Sequence, residues 1–175
     1  MRLFFGIALP DAVRAATGAL AQEAAKCIPG RYAPAENHHI TLAFLGEVPE
    51  RRVEEAAAVL EEALSRHPAP RLTLCCLDHF GRAENGILMI RVKSEPALDM
   101  LHAQLVHALE KTGLPADPGP FSPHITLARH ACVPDILPDC PQAAFTAKHA
   151  HVFVSARDSE NVLRYTPIYT VSFSE

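Results

Sequence analysis

The period of the apolar positions changes along the chain, and the changes divide it into elements. Residues 2–9 are an almost unbroken apolar run ended by Pro10-Asp11, which predicts a buried strand. From Asp11 the spacing turns helical. Val13, Ala16, Leu20 and Ala24 approximate one face of a helix over 11–26, stopped by Pro29-Gly30. After a short extended stretch, 38–45 reads as a strand closed by Gly46. Pro49 opens a second helix to about Ser65, with Val53, Ala57, Leu60 and Leu64 on one face, and Pro68 and Pro70 end it. Residues 71–80 and 87–93 read as two strands, with Asn85-Gly86 as a hairpin-turn dipeptide between them. Pro96 starts a third helix to about Lys111, lined by Leu98, Leu101, Leu105 and Leu109, and Gly113 fits its C-terminal cap.

A Pro/Gly-rich loop, 114–123, leads to a strand over 124–129, and a second Pro-rich loop, 133–141, follows. The chain finishes as two strands, about 145–155 and 162–173, joined by the polar turn 157–161. Strands and helices in this alternation predict an α+β fold. The order helix, Pro/Gly loop, strand occurs twice. A duplicated lobe packed about a pseudo-twofold axis accounts for it, with residues 1–175 forming a single bilobal domain.

Composition narrows the function classes. At 175 residues, 49% hydrophobic and 21% charged, the chain has an ordinary globular balance. No apolar run is long enough for a membrane helix, and no small-residue cleavage site follows the opening apolar stretch, so a cytoplasmic protein is expected. Cys27, Cys75, Cys76, Cys132 and Cys140 form no CxxC, and their odd count fits neither a disulfide framework nor a zinc ribbon. Buried reduced thiols are expected. The net charge of −4 does not suit a protein that coats long nucleic acid, since phosphate neutralisation needs cations. If RNA is handled, an end or a small fragment is the expected partner.

The chemistry lies in a repeated string. His39-Ile40-Thr41-Leu42-Ala43 and His124-Ile125-Thr126-Leu127-Ala128 are identical pentapeptides, each within a predicted strand. Strand alternation puts His39 and Thr41 on one face and Ile40 and Leu42 on the other. The second copy repeats this with His124 and Thr126. If the lobes face each other, two imidazoles and two hydroxyls converge on one cleft. That set suits a phosphodiester: one neutral His takes a proton from an attacking hydroxyl, and the other, protonated, gives one to the leaving oxygen. The Thr hydroxyls donate to phosphate oxygens, each bond worth about 1.5–3 kcal/mol when the acceptor is charged. A single His-x-Thr would read as a structural pair. Two identical copies favour catalysis, because duplication of a fold alone retains apolar positions more readily than polar ones. Each segment supplies one His without a carboxylate at ligand spacing, so no metal and no cofactor is expected.

The two HxTx motifs resemble those of the two-histidine phosphoesterases, specifically the RNA 2′,3′-cyclic phosphodiesterases, also called 2′-5′ RNA ligases. The similarity includes the opening Arg2-Leu3-Phe4-Phe5 with Ile7 and Leu9-Pro10. It continues in the run from His39 to Gly46, in Phe121 with 123–129, and in Arg164-Tyr165-Thr166-Pro167. The resemblance implies two mostly antiparallel sheets with helices outside and the motif strands facing across a central cleft. It implies hydrolysis of a terminal 2′,3′-cyclic phosphate to a 2′-phosphomonoester, with His39 as proton donor and His124 as proton acceptor. Reverse 2′-5′ ligation would use the 5′-hydroxyl of a second RNA in place of water.

Around the motifs, Arg129 is a candidate phosphate partner, but strict alternation puts it on the Ile125 face, so it needs a bulge or a strand end to reach the cleft. Arg157 and Arg164 read as surface charge rather than RNA contacts, and Phe44 and Phe121 as core rather than base-stacking residues. The other eight histidines, His38 and His102 among them, form no recognisable constellation. Substrates left open are RNA ends and small cyclic or 2′-5′-linked nucleotides. An RNA-end binding protein without turnover is the reading of a different class. A monomer without membrane partners is expected.

Overall fold

A computed structural model describes residues 1–93, 95–117 and 119–174. The strands are β1 (Arg2–Ala8), β2 (Arg31–Tyr32), β3 (His39–Glu47), β4 (Arg71–Phe80), β5 (Gly86–Val92), β6 (His124–Ala131), β7 (Ala144–Thr146), β8 (His149–Arg157) and β9 (Leu163–Ser172). The helices are α1 (Asp11–Ala25), α2 (Val53–Leu64) and α3 (Pro96–Thr112). Two sheets form, a four-stranded one ordered β3-β1-β8-β9 and a five-stranded one ordered β2-β6-β5-β4-β7. All the named strand pairs are antiparallel. The expected two-sheet α+β fold with outer helices is therefore present.

The helices form where the apolar spacing predicts. Leu98, Leu101, Leu105 and Leu109 of α3 are each at most 1% exposed, and each such burial is worth about 2 kcal/mol of transfer free energy. Pro96 enters α3 at its first turn, and Gly113 ends it in the left-handed conformation at φ 67°. On α1 the buried face is Val13, Thr17, Leu20, Ala21 and Ala24, with Thr17 in the place expected for Ala16. The chain also crosses between halves: α1 packs on β6, whereas α3 packs on β3.

Some boundaries differ from expectation. The β4–β5 connection is not a two-residue turn at Asn85-Gly86. Gly81 takes the positive φ (79°), a short 3-10 turn spans Ala83–Asn85, and Gly86 already belongs to β5. The strand expected over 145–155 is split, because β7 pairs with β4 in one sheet and β8 with β1 in the other. None of the cysteines is fully buried: Cys27, Cys76 and Cys132 are exposed, and Cys75 and Cys140 are half-buried. Among the described residues, no helix is long and apolar enough to cross a membrane.

The four-stranded sheet is curled. Its edge strands are joined at one corner by buried Asn37, whose Nδ2 donates to the Leu163 carbonyl at 2.7 Å and whose Oδ1 accepts from the Tyr165 amide at 3.3 Å.

Candidate active site

Strand parity holds through the first part of each motif. Ile40, Leu42, Ile125 and Leu127 are at most 1% exposed, while His39, Thr41, His124 and Thr126 are half-buried on the opposite faces. Strands β3 and β6 lie against each other between the sheets, and the charge of His124 is felt at His39. The two polar faces therefore share one cleft.

Parity then breaks at equivalent residues in both copies. Gly6 pairs with Thr41 but Phe5 with Ala43, so Leu42 is an extra residue in β3. Met89 pairs with Thr126 but Leu88 with Ala128, so Leu127 is the extra residue in β6. Such a β-bulge inverts the alternation beyond it. Ala43 and Ala128 go into the core, and Arg129 joins the face of His124 and Thr126. Its charge acts on both motif imidazoles. Phe44, at the position equivalent to Arg129, is likewise turned out of the core. It is half-buried, with the Arg2 guanidinium 5.1 Å from its ring centroid. The bulge thus corrects the core placement expected for Phe44.

A bulge frees a carbonyl from the ladder, and each is satisfied by chain from the other half of the sequence. His102 Nδ1 on α3 donates to the Leu42 carbonyl at 2.6 Å, and its ring stacks on Phe121 at 4.3 Å, 9° from parallel. The Ala33 amide donates to the Leu127 carbonyl at 2.8 Å. The sequence offers no signal for His102, because its partner is a backbone atom remote along the chain.

Both motif histidines are oriented alike. His39 Nδ1 lies 2.7 Å from the Asn37 carbonyl, and His124 Nδ1 lies 2.7 Å from the Ser122 carbonyl. A carbonyl only accepts, so Nδ1 carries the proton and Nε2 is the nitrogen left for chemistry. Thr41 Oγ1 is 3.1 Å from His39 Nε2. Aromatic rings fix the imidazoles: Phe4 and Tyr165 lie 4.7 and 4.9 Å from His39, and Phe80 meets His124 edge-on at 4.9 Å. Burial is the main force lowering the pKa of His39 to about 4, with His124, His38 and Arg129 adding repulsion. His124 is also lowered, first by burial and then by Arg129 and Arg91.

Arg91 is a site residue that sequence reasoning missed. It pairs directly with His124 across β5 and β6. Its guanidinium binds the Asp78 carboxylate, and Nη1 reaches Ser122 Oγ at 3.4 Å. The available signal was a lone cation in the apolar stretch from Ile87 to Val92. By contrast, Arg157 and Arg164 are tied into the β8–β9 turn, on the Asn161 carbonyl and the Asp158 carboxylate. Phe121 packs against the core, as expected. His38 faces away from the cleft, with Nδ1 2.9 Å from Thr17 Oγ1. Among the described residues, no three His, Cys, Asp or Glu side chains are arranged to hold a metal ion.

A family model described as the 2′-5′ RNA ligase superfamily matches residues 9–159. Curated relatives named RNA 2′,3′-cyclic phosphodiesterase include one from Thermus thermophilus. It is 36% identical over 139 residues, covering 74% of this chain and 68% of that protein. Another, from Escherichia coli, is 35% identical over 134 residues, covering 74% and 72%. The match spans only 41% of the length of a Geobacillus stearothermophilus relative and 51% of one from Bacillus subtilis. Among solved structures, a protein of Thermus thermophilus superposes with a TM-score of 0.84 at 25% identity, covering 99% of this chain and 98% of that one. Escherichia coli LigT complexed with 3′-AMP gives 0.84 at 29% identity over the same shares. With its paired HxTx strands and this extent of match, the chain belongs to the 2′-5′ RNA ligase superfamily, the two-histidine phosphoesterases.

Proposed function

We propose that the protein hydrolyses the 2′,3′-cyclic phosphate at an RNA 3′ end to a 2′-phosphomonoester, using His39 and His124 without a metal. His124 Nε2 takes a proton from water as its oxygen bonds to phosphorus. The bond from phosphorus to the 3′ oxygen breaks, and His39 Nε2 gives that oxygen its proton. Thr41, Thr126 and Arg129 donate to the non-bridging oxygens, where negative charge is held through the transition state. With the 5′-hydroxyl of a second RNA as the attacking group in place of water, the same displacement of the 3′ oxygen leaves a 2′-5′ phosphodiester, which is ligation.

One observation carries the reading: both motif imidazoles have Nδ1 tied to the carbonyl two residues earlier, so both present Nε2 to one cleft. The direction of proton transfer follows the family resemblance, since burial and Arg129 lower the pKa of both imidazoles alike. His39 is neutral in the free protein, since its pKa is held at about 4. It gains its proton as the anionic phosphodiester enters and offsets the neighbouring positive charge.

The test is incubation with an oligoribonucleotide ending in a 2′,3′-cyclic phosphate, in EDTA, with the product identified. A 2′-phosphate is expected, and His39→Ala or His124→Ala is expected to slow turnover by about 10²–10⁴-fold. A 3′-phosphate product, or activity that vanishes only with chelator, refutes the mechanism. Binding without turnover at any pH leaves an RNA-end binding protein.

A further inference from the structure

The cleft face of the four-stranded sheet carries more than the first motif. Thr41 stands opposite Gly6, Gly6 opposite His151, and His151 opposite Thr170. Directly paired residues point to the same side of a sheet. In the neighbouring rows His39 stands opposite Ala8, and His149 opposite Ser172. Across a lane where β1 offers only Gly6 and Ala8, the motif is thus followed by two imidazole–hydroxyl pairs. His151 Nδ1 is 3.0 Å from Thr170 Oγ1, and His149 Nδ1 is 3.2 Å from Ser172 Oγ. His151 is half-buried beside the Phe153 ring, at 5.3 Å, while Thr170 is exposed. Burial and then His149 keep the His151 pKa below its ordinary value, so the pair is uncharged at neutral pH. The proposed reaction does not use it.

We propose that His151 and Thr170 form a second subsite of this cleft, binding the ribose of the nucleotide on the 5′ side of the cyclic end. This rests on the phosphodiesterase reading above. Two strand spacings, about 10 Å, separate Thr41 from His151, a distance that one nucleotide of an extended strand covers. The lane between has Gly6 as its floor and the stacked rings of Phe4 and Phe153 leaning on it, an apolar surface over which the chain of a nucleotide passes. Gly6 is fixed there, since a Cβ would lie 3.0 Å from the Ile40 carbonyl oxygen and 3.2 Å from the Phe4 ring. An uncharged imidazole beside a hydroxyl offers donors and acceptors together. That suits a 2′-hydroxyl, which also donates and accepts, whereas phosphate selects cations. The cleft cations Arg91 and Arg129 stand on the other sheet. The substrate class that fits is an RNA end of at least two nucleotides, with ribose rather than deoxyribose at the penultimate sugar.

The experiment compares kcat/KM on three substrates: a 2′,3′-cyclic mononucleotide, a dinucleotide with the same cyclic end, and that dinucleotide with a 2′-deoxy penultimate sugar. The unaltered protein is expected to prefer the ribose dinucleotide over both others, by about five- to tenfold over the deoxy form. In His151→Ala and in Thr170→Val the ratio of ribose to deoxy dinucleotide should fall to about one, and His151→Gln should restore part of it. These are within-protein ratios, so a partial loss of folded protein cancels from them. Equal rates on ribose and deoxy dinucleotides in the unaltered protein, or a ratio unmoved by all three variants, overturn the subsite alone. Turnover of none of the three substrates overturns the proposed reaction and the subsite with it.

Discussion

Arg129 delivers one positive charge to two imidazoles, and its removal should be visible at both. In Arg129→Ala the pKa values of His39 and His124 should each rise, because a repulsive cation is gone. Ring-proton chemical shifts followed against pH would read this directly, together with a raised KM from the lost phosphate partner. Equal titration curves in the two proteins would remove Arg129 from the cleft. His39 also links the site to stability. Its folded pKa of about 4 lies below the ordinary value near 6.5, so the unfolded chain binds the proton first. Stability present above about pH 6.5 is therefore lost as pH falls toward 4, by roughly 3 kcal/mol at most. The urea midpoint should drop over that window, and drop less in His39→Gln. That His39 shares a face with Thr41, and His124 with Thr126, was legible from the repeated string and strand alternation together. The place of Arg129 was not, because the bulge at Leu127 arises from backbone pairing with β5 and no side chain announces it.

At the scale of elements, the motif strands are held in shape by donors that sequence spacing does not connect to them. His102→Ala leaves the carbonyl of buried Leu42 without its donor, which costs about 1–3 kcal/mol. It also frees Phe121, which stands three residues before His124. The expected outcome is a lower denaturation midpoint together with a lower kcat, and His102→Gln should recover part of each. A stability loss with kcat unchanged would mean that the bulge does not set the site geometry. Helix α3 itself was readable from its four leucines, since burial follows directly from their spacing. The break between β7 and β8 was not. Residues 145–155 read continuously as strand, and only the different partners, β4 and β1, divide them.

For the molecule as a whole, the duplicated strings pointed to two lobes facing each other, but the strand order lay beyond the sequence. The β8–β9 hairpin is local, but nothing local places β8 against β1, because that pairing joins residues from opposite ends of the chain. Asn37 closes that arrangement at a corner of the curled sheet. Asn37→Ala should unpair the Leu163 carbonyl and the Tyr165 amide, speeding hydrogen exchange at Tyr165 and lowering the denaturation midpoint. Unchanged exchange at Tyr165 would show that the sheet holds its curl without the clamp. The two bulge carbonyls extend the same theme. Leu42 is served by His102 from the later half of the chain, and Leu127 by Ala33 from the earlier half. Although the two strings are alike, neither half is a self-sufficient module. A severed half would lack the donor that shapes its own motif, so chemistry would return only when the two fragments reassemble.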